Sequence, residues 1–149
     1  MDITPTQDVS KLRVTRRFKA SRQRVYRAWT EPELIMKWLA DADYNMRVVQ
    51  LDLEVGGRYR YEGEMPGGSW AIYGEYLEVR PPERLVYTWK WDEMPGHPGA
   101  GNTVVTVDFR EQGAETEIVL THEGFTNETD RKEHNRGWLG CFDKLAGLV

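Results

Sequence analysis

Two hydrophobic rhythms alternate along the chain. In "KLRVTRRFK", Leu12, Val14 and Phe18 fall on one face at period two while Lys11, Arg13, Arg17 and Lys19 take the other, which predicts a half-buried strand. Ser21 then suits an N-cap, and Val25, Ala28 and Trp29 supply a short apolar stripe for a helix. Thr30 to Pro32 interrupts that helix, because proline fits only a first helical turn, so "PELIMKWLA" reads as a second short helix. After Asp43 the period returns to two. "MRVVQLDLEV", "GRYRYEGEM", "WAIYGEYLEV", "RLVYTWKW", "NTVVTVDFRE" and "AETEIVLTHEGF" each read as strands, separated by glycine and proline turn chemistry. Short separators between successive strands imply antiparallel hairpins. The final stretch, "TNETDRKEHNRGWLGCFDKLAGLV", goes back to helical spacing. Trp138, Cys141, Phe142, Leu145 and Leu148 recur there at intervals of three and four, and the helix is expected to begin near Thr129 or Asp130.

The order strand, two short helices, six strands, long helix is an α+β plan with the helices gathered on one side of the sheet. A twisted antiparallel sheet of seven strands curls, and the terminal helix laid along its concave face closes the core. Gly137 and Gly140 flank Trp138 inside that helix, where each glycine costs about 1 kcal/mol against alanine. The expectation is that their missing side chains leave an enclosed hollow for a small ligand where sheet and helix diverge. A single domain is expected over residues 9–149, with residues 1–8 an extended or disordered tail.

Parity along the strands sorts the side chains that would face this hollow. Tyr59 and Tyr61 oppose Arg58 and Arg60; Tyr87 and Trp89 share a face with Leu85 and Trp91; Val107 and Phe109 align with Val105. His122 has the parity of Thr116, Ile118 and Leu120 and therefore points inward. On the terminal helix, His134 lies four residues before Trp138 and shares its face. The candidate ligand-binding set is thus Trp38, Tyr59, Tyr61, Tyr87, Trp89, Val107, Phe109, His122, His134, Gly137, Trp138 and Cys141. His122 and His134 are also the candidates for acid–base catalysis near neutral pH, set against two satisfied structural histidines. The six tryptophans could cage a ligand or simply fill a core.

Composition narrows the rest. No apolar run approaches a membrane span, and "MDITPTQDVS" lacks the regions of a signal peptide, so a soluble cytoplasmic protein is expected. The single cysteine, Cys141, sits among apolar helix positions and reads as a buried structural thiol. The net charge of −4 conceals a basic segment from Lys11 to Lys37, with nine Lys or Arg against Glu31 and Glu33. Those charges alternate with buried-type residues, which suits a solvated face; a docking surface for a protein partner is the alternative, and no nucleic acid is expected. There is no G-x-S-x-G elbow, phosphate loop or H-E-x-x-H. His97, His122, His134 and Cys141 could meet at a metal only through the tertiary fold, so neither metal nor cofactor is expected. The loop "DEMPGHPGAGN" suits either a lid or a plain hairpin connection, and self-association into a homodimer is left open.

Five segments in order, "FKASRQRVYRAWTEPELIMKWLA", "LDLEVGGRYRY", "GEYLEVRPPERLVYTWKW", "TVVTVDFREQGAETEIVLTHEGF" and "EHNRGWLGCFDKL", resemble the helix-grip superfamily, also called START-like or SRPBCC. Within it the chain is similar to the family named after the carboxy-terminal domain of the heat-shock chaperone ATPase activator. The resemblance implies a sheet gripping the terminal helix around an internal cavity. It also implies a choice among functions: binding or carriage of small apolar or aromatic molecules, antibiotic self-resistance, or cyclase-like turnover; a hydrolase-like enzyme using His122 or His134 is the further alternative. The eukaryotic activator binds its chaperone mainly through an additional domain with no counterpart here, so chaperone activation is not expected to carry over. The superfamily brings no universal catalytic motif to place on this sequence.

Overall fold

A computed structural model describes residues 10–39, 45–92 and 102–149. The chain runs β1 (Lys11–Phe18), α1 (Arg22–Thr30), α2 (Pro32–Trp38), β2 (Met46–Leu51), β3 (Arg58–Met65), β4 (Gly68–Arg80), β5 (Arg84–Trp91), β6 (Thr103–Gln112), β7 (Glu115–Glu123) and α3 (Glu128–Leu148). The seven strands form one antiparallel sheet in the order β1-β7-β6-β5-β4-β3-β2, so the amino-terminal strand reaches across to pair with β7. The expected tail at residues 1–8 and the loop proposed as a lid, apart from its flanking Asp92 and Asn102, lie outside the described residues, as does His97.

Local chemistry accounts for the element ends. The Ser21 side chain accepts a hydrogen bond from the Arg24 amide at 3.2 Å, capping α1 as its sequence suggests, and Pro32 opens α2. α3 starts slightly earlier than the periodicity indicates. Its cap is Asn127, whose side chain accepts from the Asp130 amide at 2.8 Å and satisfies a donor in the first turn. β2 stops at Leu51, short of the predicted "LDLEV" extension. There the Glu54 amide bonds the Asp52 carbonyl and the Gly57 amide bonds Glu54, turning the chain tightly enough that a Cβ on Gly57 would lie 2.1 Å from the Asp52 oxygen.

One irregularity shapes the middle of the sheet. The β4–β5 ladder pairs Tyr73 with Lys90 and Tyr76 with Tyr87 and opens between them. In that gap the Glu75 amide donates to Thr88 Oγ1 at 2.9 Å, and the Tyr59 hydroxyl from β3 donates to the Thr88 carbonyl. Only glycine fits at position 74, because a Cβ would come within 2.1 Å of that same carbonyl.

The concave face of the sheet and α1, α2 and α3 enclose one core. Trp138, Cys141, Phe142 and Leu145 are the buried stripe of α3. Phe142 meets Phe18 and Trp29 edge to face, with centroids 5.7 and 5.8 Å apart, which ties β1, α1 and α3 together. Outside, Arg16, Arg17 and Arg22 of the basic segment pair with Asp143, Glu115 and Glu111. Among the described residues no helix is long and apolar enough to cross a membrane.

Candidate functional site

The register of the central strands decides which predicted residues meet. Val105 of β6 pairs with His122 of β7, placing His122 directly beneath the amino-terminal half of α3 with no surface exposed. There it joins Trp89, His134 and Trp138, with ring centroids 5.5, 5.2 and 6.2 Å away; Trp89 and Trp138 themselves lie 5.2 Å apart. Phe125 closes the group at 4.6 Å from His122.

Hydrogen bonding fixes both imidazoles in a single neutral form. An indole N–H can only donate, so Trp138 Nε1, 3.1 Å from His122 Nδ1, makes that nitrogen an acceptor. The Thr103 hydroxyl gives its proton to the Trp89 carbonyl at 2.8 Å and so accepts from His122 Nε2–H at 2.7 Å. His134 has the opposite tautomer: Nε2 accepts from Trp91 Nε1 at 2.9 Å, and Nδ1–H reaches the Asp130 carbonyl at 2.8 Å. Burial, and then the neighbouring His134, hold the His122 pKa well below the ordinary imidazole value. All four ring nitrogens are therefore engaged within the protein, which stitches α3 to β5, β6 and β7.

A second group lies where β3, β4 and β5 meet α1, through Trp29 and Tyr87. Tyr59 packs against Tyr61, Tyr76 and Tyr87 at 4.9, 5.7 and 5.5 Å, and Tyr76 meets Tyr87 at 5.9 Å. Trp29 Nε1 donates to the Tyr87 hydroxyl at 3.1 Å. The Tyr61 and Tyr76 hydroxyls are hydrogen-bond partners. Burial, with the phenols acting on one another, pushes Tyr59, Tyr61, Tyr76 and Tyr87 upward overall, so all four stay protonated at physiological pH. Tyr26 approaches from α1, edge to face on Phe109 at 5.2 Å and close enough to influence Tyr76. Cys141 stands near Tyr87 and donates from Sγ to the Leu39 carbonyl at 2.9 Å.

The predicted set thus divides. Trp89, His122, His134 and Trp138 form one cluster; Tyr59, Tyr61 and Tyr87 form another, bordered by Cys141. Phe109 belongs to the Tyr26–Trp29 side, and Val107 is fully buried between Leu85 and Leu120 in the middle of the sheet. Trp38 joins neither cluster: its indole donates to the Ala28 carbonyl at 2.8 Å and its ring meets Trp29 at 4.5 Å, so it braces α1 on α2. A Cβ added to half-buried Gly137 would meet nothing within 4 Å, so no strand or helix packs against that point of α3.

Sequence reasoning passed over Tyr26, Tyr76, Phe125 and Thr103. Tyr76 has the parity of Trp70 and Ile72, and Tyr26 precedes Trp29 by three residues, so both carried a readable signal. Thr103 carried none, since its role follows from the β6–β7 register.

Two buried side-chain atoms on this inner side have no hydrogen-bond partner among the described residues: Tyr26 Oη and Trp89 Nε1. Both are donors. Among those residues the buried polar side chains outside the aromatics are Thr30, Thr103, Thr116 and His122, and no Asp, Glu, Lys or Arg is buried. A groove of about 490 Å³ lies elsewhere, across β2, β3 and β4, lined by Arg47, Val48, Arg60, Glu62, Gly63, Glu64, Ser69, Trp70, Ala71 and Asp92. Val48, Arg60, Glu62, Ser69 and Ala71 share the face opposite Tyr59 and Tyr61, so the groove opens away from α3, and none of the twelve predicted residues lines it. Its ion pairs, Arg47–Glu64, Arg60–Glu62 and Arg60–Asp92, satisfy its charges locally.

Comparison with known proteins agrees with this architecture. The model of the family described as "Activator of Hsp90 ATPase homolog 1-like protein" matches residues 19–149. Among solved structures, one from Chromobacterium violaceum is 29% identical with a TM-score of 0.83, covering 94% of this chain and 97% of that one. A putative uncharacterized protein from Rhizobium leguminosarum is 25% identical with a TM-score of 0.80, covering 92% and 91%. A protein from Rhizobium loti, 22% identical with a TM-score of 0.81 and covering 94% and 96%, shares the fold. No curated protein matches the chain.

Proposed function

Because the chain belongs to the activator of Hsp90 ATPase homolog 1-like family, whose helix-grip fold is a scaffold typical of ligand binders and carriers, we propose that it binds a small apolar or aromatic molecule between the inner face of its sheet and α3. One observation carries this reading: the interior keeps two buried donors, Tyr26 Oη and Trp89 Nε1, without protein acceptors. A buried polar group left unpaired costs roughly 1–3 kcal/mol, a cost that a ligand oxygen removes. The open space beside Gly137 gives α3 a point where a ligand can approach its backbone.

Binding fits these side chains better than turnover does. A general base needs a free nitrogen within reach of its proton, whereas both nitrogens of His122 and of His134 are committed to protein groups. The pairing of Arg16, Arg17 and Arg22 with acids likewise favours a solvated face over a basic docking surface. Native mass spectrometry of freshly purified protein is the direct test. A retained small molecule, released on denaturation and displaced from the Trp89→Phe variant, is the expected result. A uniformly ligand-free mass, together with unchanged tryptophan fluorescence across a panel of apolar compounds, would remove the proposal.

A further inference from the structure

Gly137 divides α3 into two parts that are held differently. Beyond it, Trp138, Cys141, Phe142 and Leu145 are buried, and Phe142 packs edge to face on Phe18 and Trp29. Before it, no residue from Glu128 to Arg136 is buried, so burial of apolar surface does little to hold the first part down. This part meets the sheet through His134, whose Nε2 accepts from Trp91 of β5 at 2.9 Å and whose ring lies 5.2 Å from His122 and 5.0 Å from Phe125. Gly137 itself is a weak point, because glycine lowers the stability of a helix interior relative to alanine and nothing stands within 4 Å of where its Cβ would be.

Only a neutral His134 can make the contact with β5. Protonation puts an N–H on Nε2 facing the N–H of Trp91, and two donors cannot share a hydrogen bond. The proton goes to His134 rather than to His122, since His134 is half-exposed, His122 has no surface exposed, and the short distance between the rings disfavours a second charge. Among the described residues, the neighbouring elements turn no acid toward the ring. Asp92, next to Trp91, pairs with Arg60 on the outer face; Glu123 alternates to that face, away from His122; β6 presents the Thr103 hydroxyl. Within α3, Arg131 and Lys132 pair with Glu128, and Arg136 pairs with Glu133. Asp130, four residues before His134, favours the charged ring on the helix itself rather than on the sheet.

We propose that His134 is a proton-operated latch. Neutral, it ties residues 128–136 to the end of β5; protonated, it releases that segment to swing about Gly137 while Trp138 and the rest of α3 stay seated. The latch requires no ligand and stands apart from the binding reading above. Because the open form takes up a proton that the closed form excludes, opening grows as the pH falls, by at most about tenfold per unit.

Hydrogen–deuterium exchange of the full, ligand-free chain, corrected for the pH dependence of intrinsic exchange, tests this from about pH 7.5 down to about pH 5.5. Peptides over residues 128–136 should lose protection about tenfold across that window while peptides over residues 141–148 stay unchanged. His134→Gln, which keeps an acceptor for Trp91 but takes up no proton, should hold the first segment protected throughout. Trp91→Phe should leave it weakly protected at every pH, and His122→Gln should keep the wild-type response. Protection that does not change with pH in the wild type overturns the latch. So does a response that survives in His134→Gln, or one in which both parts of α3 lose protection together, which is global unfolding. Protection of residues 141–148 at the upper pH shows that each variant is folded. Should His134→Gln fail that check, Trp91→Phe decides, since a pH response that persists without the indole overturns the proposal.

Discussion

Acidification should weaken the fold through His122. The ring is fully buried, donates to Thr103 and accepts from Trp138, so only the neutral form fits its surroundings. In the unfolded chain the same imidazole takes up a proton near pH 6.5, whereas in the folded protein burial and the facing His134 on α3 hold its pKa well below that. Stability is therefore complete above about pH 6.5 and falls as the pH drops further, by about 1.4 kcal/mol per unit, until the native ring itself protonates. Between pH 7.5 and 5.5 the loss from this residue is about 1.4 kcal/mol, which for a domain near this size lowers the melting temperature by roughly 3–6 °C. Differential scanning calorimetry of the wild type and of His122→Gln at half-unit intervals isolates the effect, because every other titrating group is common to both. Glutamine retains a donor and an acceptor but has no proton to gain in this range. The wild-type curve should fall away from the variant's below pH 6.5. Parallel curves, or a wild type that gains stability relative to the variant on acidification, would show that His122 is not held neutral by its site.

Other substitutions separate the structural features from one another. Tyr26→Phe removes a buried hydroxyl without a partner and should leave stability unchanged or raise it by up to about 1 kcal/mol in urea unfolding, whereas Tyr87→Phe strands the Trp29 indole and should cost roughly 1–3 kcal/mol. Gly74→Ala should cost at least roughly 2 kcal/mol by the same assay, since its Cβ would sit 2.1 Å from the Thr88 carbonyl oxygen. Gly137→Ala meets open space inside α3 and should stabilise the helix by about 0.5–1 kcal/mol; weaker binding of a retained ligand in that variant would place the ligand beside α3. Asn127→Ala should lower stability by about 1 kcal/mol through loss of the α3 cap.

The periodicity of Leu12, Val14 and Phe18, of Leu85, Tyr87 and Trp89, and of Trp138, Cys141, Phe142 and Leu145 determined the element order, the buried faces and the inward direction of His122. These properties follow from one chain's hydrophobic spacing, because a side chain's face depends only on its parity or helical phase. The sequence could not decide what each buried polar group touches. Thr103 reaches His122 only because β6 and β7 pair in one register, Trp91 reaches His134 only because α3 crosses the end of β5, and the opening in the β4–β5 ladder hands the Thr88 carbonyl to Tyr59. Trp38 reads as apolar and inward in sequence, as does Tyr59, yet one braces two helices and the other joins a ring of phenols. Hydrogen bonds are short and directional, so their partners are set by the relative placement of segments far apart in the chain. That placement belongs to the packed sheet and helices, and it separates a committed histidine pair from a cluster of packed phenols.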